Sequence, residues 1–494
     1  MNTQAVNSRS VVLVGAGQFI QRGSDPATAL EPLAMMAAAA EAAAHDAGCG
    51  DLLAALDSVR VVKGAWPYRD PGRLLAQRLG ASPRDSRLSF DGGNTPQSLV
   101  NATGLEIEAG RMDVALLVGA EGIYSRRRAK RAGATIPYTS DAEAPPAETI
   151  GHDVTMSSRL ESSRGLEMPV NIYPMFETAI RHARGETPAQ HLARISALWA
   201  AFNAVAVDNP YAWLRTPMTA AEIRTPSANN RLVGYPYTKS MNSNWDLDQA
   251  AAVILCSVEK ARSLGISRDR WVFPWAGTDA HDTYLVSNRD NFHSSPAIRT
   301  AALRCRELAG IELDQITHVD LYSCFPSAVQ IAAAEIGLAE DRSLTVTGGL
   351  PFAGGPLNNY VMHSIATMAH VLRADPGTVG LVSANGGYVT KHAIGLYSTE
   401  PPPAGQFRHA DVQDEVDRFP TREVTGEHVG PATVEAYTVM HDHTGPVEAL
   451  VSALTPAGLR TYGRSRDGSA MASLMARDAV GDGVEIDADA VAHL

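Results

Sequence analysis

Along residues 10–400, unbroken apolar runs alternate with helical stretches. VVLVGAG (11–17) reads as a buried strand, and LEPLAMMAAAAEAAAHDAG (30–48) as the alanine-rich helix after it. In SFDGGNTPQSLVNATGLEIEAGRMDVALLVGAE (89–121) a glycine turn precedes a helix that opens near Thr95–Pro96 and closes at Gly110, and a strand follows at once. The later half repeats this order. SSPAIRTAALRCRELAG (294–310) is helical; IELDQITHVDLYSCF, then GGLPFAGGPLNNYVMHSIATMAHVLR and the strand TVGLVSANGG complete it. From Gly92 to Gly122 is 30 residues, and from Gly354 to Gly386 is 32. The shared rhythm predicts an α/β fold built from two related halves, their glycine turns facing one pocket at the junction.

Residues 122–245 lack this alternation. They are rich in proline, arginine and polar residues, with helical patches such as PAQHLARISALWAAFNAV, and are too long for a structureless loop. The pattern predicts an N-terminal half over 1–270 that carries an inserted loop domain at 122–245, and a C-terminal half over 271–400. The stretch EPPPAGQFRHADVQDE (400–415) then opens a segment of short β-rich runs, ATVEAYTVMHD, VEALVSALTP, LRTYGRS and GVEIDA. These predict a small β-barrel within 401–494.

A chain of 494 residues exceeds what one core usually supports, in keeping with several domains. A net charge of −12 argues against general nucleic-acid or anionic-membrane binding. No run of about 18 apolar residues occurs, and MNTQAVNSRS lacks a signal peptide's apolar core. Cys49, Cys256, Cys305 and Cys324 are widely spaced without a CxxC pair, which fits reduced thiols in a cytoplasmic protein.

Few motifs carry chemistry. VGAGQFIQRG lacks the third glycine of a dinucleotide fingerprint, Ile20 standing there, and HExxH, GxSxG and P-loop patterns are absent. His441 and His443 would share one strand face, too little for a metal site, so none is expected. RRRAKR (126–131) concentrates charge on an acidic chain; it is either a solvated surface or a phosphate cradle. DLYSCF (320–325) places Tyr322, Ser323 and Cys324 at a strand end facing the pocket, where catalytic groups gather in α/β folds. Cys324 reads as a nucleophile or as a buried thiol. Tyr322 and Tyr360 are acid or base candidates, and Asn358 and Asn359 are possible donors to an oxyanion.

With these motifs in view, the chain resembles the thiolase superfamily over nearly all of residues 10–400, especially its sterol-carrier-protein-linked and thiolase-like branches. That resemblance implies a layered, duplicated thiolase fold with the loop domain inserted. Aligned without gaps, the nucleophilic cysteine's place falls on Gly93. The histidine of Gly-His-Pro falls on Gly355, and the second cysteine on Ala384. Tyr322 and Ser323 replace the first two residues of His-Asp-Cys-Phe. A lost nucleophile typically costs about a thousand- to a million-fold in rate, and here nucleophile and activating base are absent together.

The resemblance extends to thiolase-like steroid side-chain aldolases, which carry tyrosines near the places of Tyr322 and Tyr360 and work with a separate OB-fold partner. The β-rich tail looks like that OB domain fused in. The implied ligand is a coenzyme A thioester, with no covalently bound cofactor. Arg126, Arg127 and Arg128 are expected near its phosphates, and Asn94, Asn358 and Asn385 close to it. Gly93 and Gly355 are expected to leave free space, with Tyr322 as a base activated by Lys239 or Lys391. The leading expectation is a carbon–carbon bond made or cleaved in an acyl-CoA, retro-aldol fashion, without a cysteine acyl-enzyme. The alternatives are a non-catalytic acyl-CoA or lipid binder, and an acyltransferase using Cys324. The tail is expected to cover the N-terminal half's edge strand, giving a monomer or loose homodimer.

Overall fold

The computed structural model describes residues 6–23, 25 and 28–494; the first five residues of the N-terminal stretch considered above lie outside them. In the first half, β1 (Val11–Ile20) leads to α1 (Pro32–Ala47), β2 (Ser58–Val61), β3 (Asp85–Ser89), α2 (Thr95–Glu108), β4 (Val114–Gly122), α3 (Ile123–Arg131) and β5 (Glu148–Ile150). Helices α4 (Pro169–Ala183) and α5 (Pro188–Asp208) precede β6 (Asp248–Ser257). Every residue of β4 and β6 is buried, as near-continuous apolar strands covered on both faces require. The small residues of α1 serve close approach, since a Cβ at Gly15 or Gly17 of β1 would collide with the Ala43 or Ala39 carbonyl. Helix α1 ends at Gly48, whose φ of 68° lets its N–H reach the Ala44 and His45 carbonyls.

The second half runs β7 (Phe273–His281), α6 (Pro296–Ala309), β8 (Ile316–Asp320), α7 (Pro326–Ile336), α8 (Tyr360–Ala374), β9 (Val379–Gly386) and β10 (Lys391–Ser398). The first sheet has the order β1-β6-β4-β2-β3-β5; the second is β8-β9-β10-β7, extended by β11 (Arg408–Asp411). β1/β6 and β6/β4 are antiparallel and β4/β2 parallel; β7/β10 and β10/β9 are antiparallel and β9/β8 parallel. The same four-strand arrangement thus occurs twice. Helices α2 and α8 touch strands of both sheets and form the layer between them. Among the described residues no helix is long and apolar enough to cross a membrane.

The C-terminal strands β12 (Gly430–His441), β13 (Pro446–Leu454), β14 (Arg460–Ser465), β15 (Gly483–Ile486) and β16 (Ala492–His493) form a small β domain with its own core around Val434, Tyr437, Val451, Leu474 and Ile486. The Arg464 N–H donates to the Ala490 carbonyl at 3.0 Å, which draws the two ends of the sheet together. The domain docks on the inserted segment and on the second half. Arg181 of α4 donates to Tyr437 Oη (2.6 Å) and Asp478 (3.0 Å). The fully buried Arg460 donates to the Ser287 carbonyl (2.6 Å), the Asp290 carbonyl (3.2 Å) and Glu435 (2.7 Å).

One expectation about edges needs correction. The exposed edge of the first sheet, β3, is covered by β5 of the inserted segment, in parallel register Arg87↔Glu148 to Ser89↔Ile150. The linker to the tail instead covers β7, the edge of the second sheet, through β11. The inserted chain lies nearer to β3 in sequence, so its cover needs the shorter closure.

Two outcomes follow from these contacts. Arg460→Met should lower the unfolding free energy by about 3 kcal/mol, because it strands Glu435 and the Ser287, Arg289 and Asp290 carbonyls. Arg464→Met, which removes only a half-exposed pair with Glu448, should cost under about 1 kcal/mol in the same denaturant titration. Acid should act through Asp282. Burial pushes this carboxyl up, but Arg289, His392 and Ser295 overcome that and hold it at about 2. A depressed carboxylate stabilises above its unfolded value and loses that contribution as pH falls through the folded one. Stability should therefore drop by about 2 kcal/mol between roughly pH 4 and pH 2, and Asp282→Asn should flatten that slope.

Candidate functional site

The turn before α2 has two faces. Gly92 sits at φ 155°, in the region that favours glycine, and its carbonyl accepts from the Thr95 N–H (3.0 Å) and hydroxyl (2.8 Å). A Cβ at Gly93 would collide with Tyr322 Oη and the Asn385 carbonyl, and one at Gly92 with Asn94 Oδ1 and, at 2.8 Å, Lys391 Nζ. The second glycine turn is equally tight. A Cβ at Gly355 would strike Ser243 Oγ, and the Gly355 N–H donates to the Asn244 carbonyl at 2.7 Å. Asn358 joins the two turns: its Oδ1 accepts from the Gly92 N–H (3.0 Å), while its amide donates to the Lys63 carbonyl (2.9 Å) and Asp91 (3.0 Å).

The free space expected at Gly93 and Gly355 is therefore not there. Both positions are filled from across the junction, and glycine is needed for contact. The oxyanion donors expected from Asn358 and Asn359 are also spent, the latter's amide donating to the Gly119 carbonyl at 2.8 Å.

Tyr322 is buried beside the α2 turn, and its N–H donates to Ser383 Oγ (3.0 Å). Burial, then the neighbouring Cys324, drive its phenol above the ordinary tyrosine value. No cation offsets this: Lys391 faces Gly92, and Lys239 is exposed on the surface. The expectation of an activated base is corrected to a neutral phenol, since burial holds the proton on it. Cys324 is buried, and its thiol is pushed up to about 12 by burial despite hydrogen bonding with Tyr173 and Asn385. Ser323 Oγ accepts from the Leu350 N–H (3.3 Å). Ala384 lies buried in β9 opposite Ala393.

Tyr360 meets the Tyr322 ring edge-on, 5.5 Å between centroids, but its hydroxyl is taken by Thr347 Oγ1 (2.6 Å) and Asp320 (3.1 Å). It braces Tyr322 and holds no free acid or base. Two residues not singled out from sequence complete the site. Asp320 anchors its rear wall. Tyr173 of α4 donates to the Gly387 carbonyl (2.9 Å) and accepts from Asn385 Nδ2 (3.0 Å) and the Val389 N–H (3.2 Å). No local pattern marks Tyr173, since Gly387, Asn385 and Val389 all lie more than 200 residues away. The cavity left between Tyr322, Ser383, Asn385 and His392 is about 10 Å³, room for one water at most.

On the Gly92 side a cavity of about 320 Å³ is open, lined in part by Asn94, Ser98, His152, His281, Tyr284 and Lys391. Asn94 donates weakly to Ser98 Oγ (3.4 Å), and its Oδ1 has no hydrogen-bond partner among the described residues. The arginine cluster lies elsewhere, on α3. Arg126 donates to the Ala65 carbonyl, Arg127 pairs with Asp246 (3.0 Å) over the half-exposed Trp245 ring, and Arg128 donates to Tyr124 Oη (3.1 Å). The start of α3 is held by the Leu247 carbonyl, close to Asn244 and hence to the outer rim of the Gly355 turn. His441 Nδ1 lies 2.9 Å from the Val439 carbonyl.

Comparison with known proteins places this geometry. Residues 411–490 match the family described as thiolase-like protein type 1 additional C-terminal domain. The whole chain is similar to a monomeric SCP2-thiolase like protein type 1 (STLP1) from Mycobacterium smegmatis, at 31% identity and a TM-score of 0.85, covering 99% of this chain and 100% of that one. The Ltp2-ChsH2(DUF35) aldolase shares the fold at 16% identity and a TM-score of 0.61, with 79% of this chain and 98% of that one covered. An acetyl-CoA acetyltransferase from Syntrophomonas wolfei does so at 17% and 0.56, covering 80% and 100%. An acetyl-CoA acetyltransferase of Methanocaldococcus jannaschii is 28% identical over 93 residues, 19% of this chain and 24% of that enzyme, so the match spans about a quarter of that relative's length.

The filled turn has a direct test. Gly93→Ala should destabilise by about 3 kcal/mol through overpacking. Adding Tyr322→Phe removes the hydroxyl, one of three colliding atoms, and should restore only part of that loss, because the Asn385 carbonyl and the ring Cζ stay. Full restoration in the double variant, measured by urea unfolding, would show that the backbone contact carries no weight.

Proposed function

The chain belongs to the SCP2-thiolase-like protein type 1 family, and we propose that it binds acyl-CoA thioesters and makes or breaks a carbon–carbon bond in them without a cysteine acyl-enzyme. One observation carries this reading: the Tyr322 hydroxyl occupies the place, at the start of α2, into which a side chain at residue 93 would project. A nucleophile there is sterically excluded, and the shielded, high-pKa thiol of Cys324 does not replace it.

In the retro-aldol direction the β-hydroxyl gives its proton to solvent water, the Cα–Cβ bond breaks, and its electron pair passes into the thioester enolate. Tyr322, neutral and hydrogen-bearing, donates to the enolate oxygen as charge develops there. The α-carbon is then protonated, and a shorter acyl-CoA leaves with an aldehyde or ketone. Entry of the acyl chain requires the Ser243–Leu247 segment to move off the Gly355 turn. The arginines of α3, with Trp245 beside them, lie outside this turn and are assigned to the CoA nucleotide. The similarity to an aldolase assembled from Ltp2 and ChsH2(DUF35) supports the reaction class, and the β domain, OB-like in this reading, takes the place of a separate partner. The covered β3 edge supports a monomer. A second reading, a non-catalytic acyl-CoA binder, is favoured by the cavity of about 10 Å³ at Tyr322.

Incubation with a panel of β-hydroxyacyl-CoAs should release acyl-CoA and a carbonyl product, detected by chromatography. Tyr322→Phe should lower that rate roughly a hundredfold or more, as loss of one oxyanion donor does, and acetoacetyl-CoA thiolysis should be absent. Arg126→Ala with Arg127→Ala should weaken CoA binding at low salt and less so at high salt. Binding without turnover selects the second reading. Robust thiolysis, or an unchanged rate in Tyr322→Phe, overturns the first.

A further inference from the structure

We propose that Lys391 is an imine-forming amine, and that the open cavity on the Gly92 side takes an aldehyde or a ketone. The chain uses arginine for nearly all its positive charge: of 42 basic residues only five are lysines, namely Lys63, Lys130, Lys239, Lys260 and Lys391. An arginine side chain serves structural pairing as well or better, but only lysine supplies a nucleophilic amine. Lys391, at the first position of β10, lines the cavity of about 320 Å³. Its ammonium donates to the Asp91 backbone carbonyl, and among the described residues it makes no ion pair. The nearby Asp91 carboxylate is engaged by Lys63 (2.8 Å) and Asn358 (3.0 Å).

Space around the amine is kept by glycine on two sides. A Cβ at Gly92 would stand 2.8 Å from Nζ, and one at Gly386 would stand 3.1 Å from Cε. Phe90, Leu99, Ile150 and Val154 give the cavity apolar walls. His281, stacked on Tyr284 at 4.1 Å, and His152, whose Nε2 is 3.4 Å from Tyr284 Oη, add groups that can carry protons. Burial also lowers the Lys391 pKa from its ordinary value, with Asp91 and Asp153 opposing in part.

The chemistry balances within these groups. The free amine attacks the carbonyl carbon, the π pair moves to oxygen, and the proton shed by the nitrogen ends on that oxygen, giving a carbinolamine. Its hydroxyl is protonated and leaves as water, and the nitrogen lone pair closes the C=N bond of an iminium. None of these steps uses Tyr322 or a CoA thioester, so the inference stands or falls apart from the proposed function.

The test uses the full-length protein with butanal and sodium cyanoborohydride near pH 7, which reduces any iminium to a stable secondary amine. Peptide mass spectrometry after brief exposure should find butyl-Lys391 at least about tenfold above the exposed Lys130 and Lys239, because the cavity holds the aldehyde beside this amine. Lys391→Arg, which keeps the charge and the bond to Asp91, should retain the wild-type melting temperature and lose the preferential label. Labelling that follows exposure alone, with Lys391 at or below Lys130, overturns the proposal. So does a label at another residue of the cavity that persists in Lys391→Arg.

Discussion

The Asp320 carboxylate sits fully buried at the end of β8, and its two oxygens collect hydrogen bonds from two other parts of the chain. The hydroxyls of Thr345 and Thr347 (both 3.0 Å) and the N–H groups of Val346 (2.9 Å) and Thr347 (3.1 Å) come from the approach to the second glycine turn. Ser364 (2.7 Å) and Tyr360 (3.1 Å) come from α8. Burial raises the pKa of this group, and Ser364, Val346, Thr345 and Thr347 pull it partly back. A buried donor left without its acceptor costs about 1–3 kcal/mol, so the six bonds hold one another in place. Strand end, turn and middle-layer helix are thereby locked at one point. Tyr322, two residues beyond Asp320, inherits its position from that lock, and the closed face of the α2 turn follows.

Much of the fold is visible in the residues themselves. Strands such as VALLVGAE are apolar throughout because both their faces are covered, and glycine and proline mark where helices begin and end. The doubled rhythm of the halves survives because both sheets solve the same packing problem with a helix laid between them. The missed strand β5 has the composition of its surroundings: ETI in a stretch of alanine and proline earns its assignment only from β3, some 60 residues earlier. The site was harder still. Residue types showed that Gly93 and Gly355 lack the groups of a thiolase. They did not show that Tyr322 and Ser243 already stand against them, since that depends on the spacing between sheets. Tyr360 looked chemically able, and only its partners 13 and 40 residues upstream reveal that its hydroxyl is committed.

The inserted segment is tied down as firmly as the halves it covers. Tyr173 stacks on Phe325 at 4.4 Å and bonds into the end of β9, while Tyr237 Oη reaches Ser327 at 2.9 Å and Glu177. Glu177, wholly buried, is held below the usual carboxylate range despite burial by His191, Tyr237 and Gln330. These contacts join α4 and α5 to α7, and they close the Tyr322 face while the Gly92 face stays open. Two adjacent glycines therefore separate a packed interior from a solvent-connected cavity, with no secondary structure of their own between them.

The covering of β3 by β5 changes the order of a reaction. When a sheet edge is paired by a second copy of a chain, its protection depends on concentration, and half of the copies lose it at the dissociation constant. Here both strands travel on one polypeptide, so closing the edge is a first-order event with an effective concentration set by the connecting chain. Dilution leaves it unchanged, and so does competition from related chains in the same compartment. Heredity is altered in the same way: Arg87–Ser89 and Glu148–Ile150 vary within one gene, so a change in one strand always meets the partner it was inherited with.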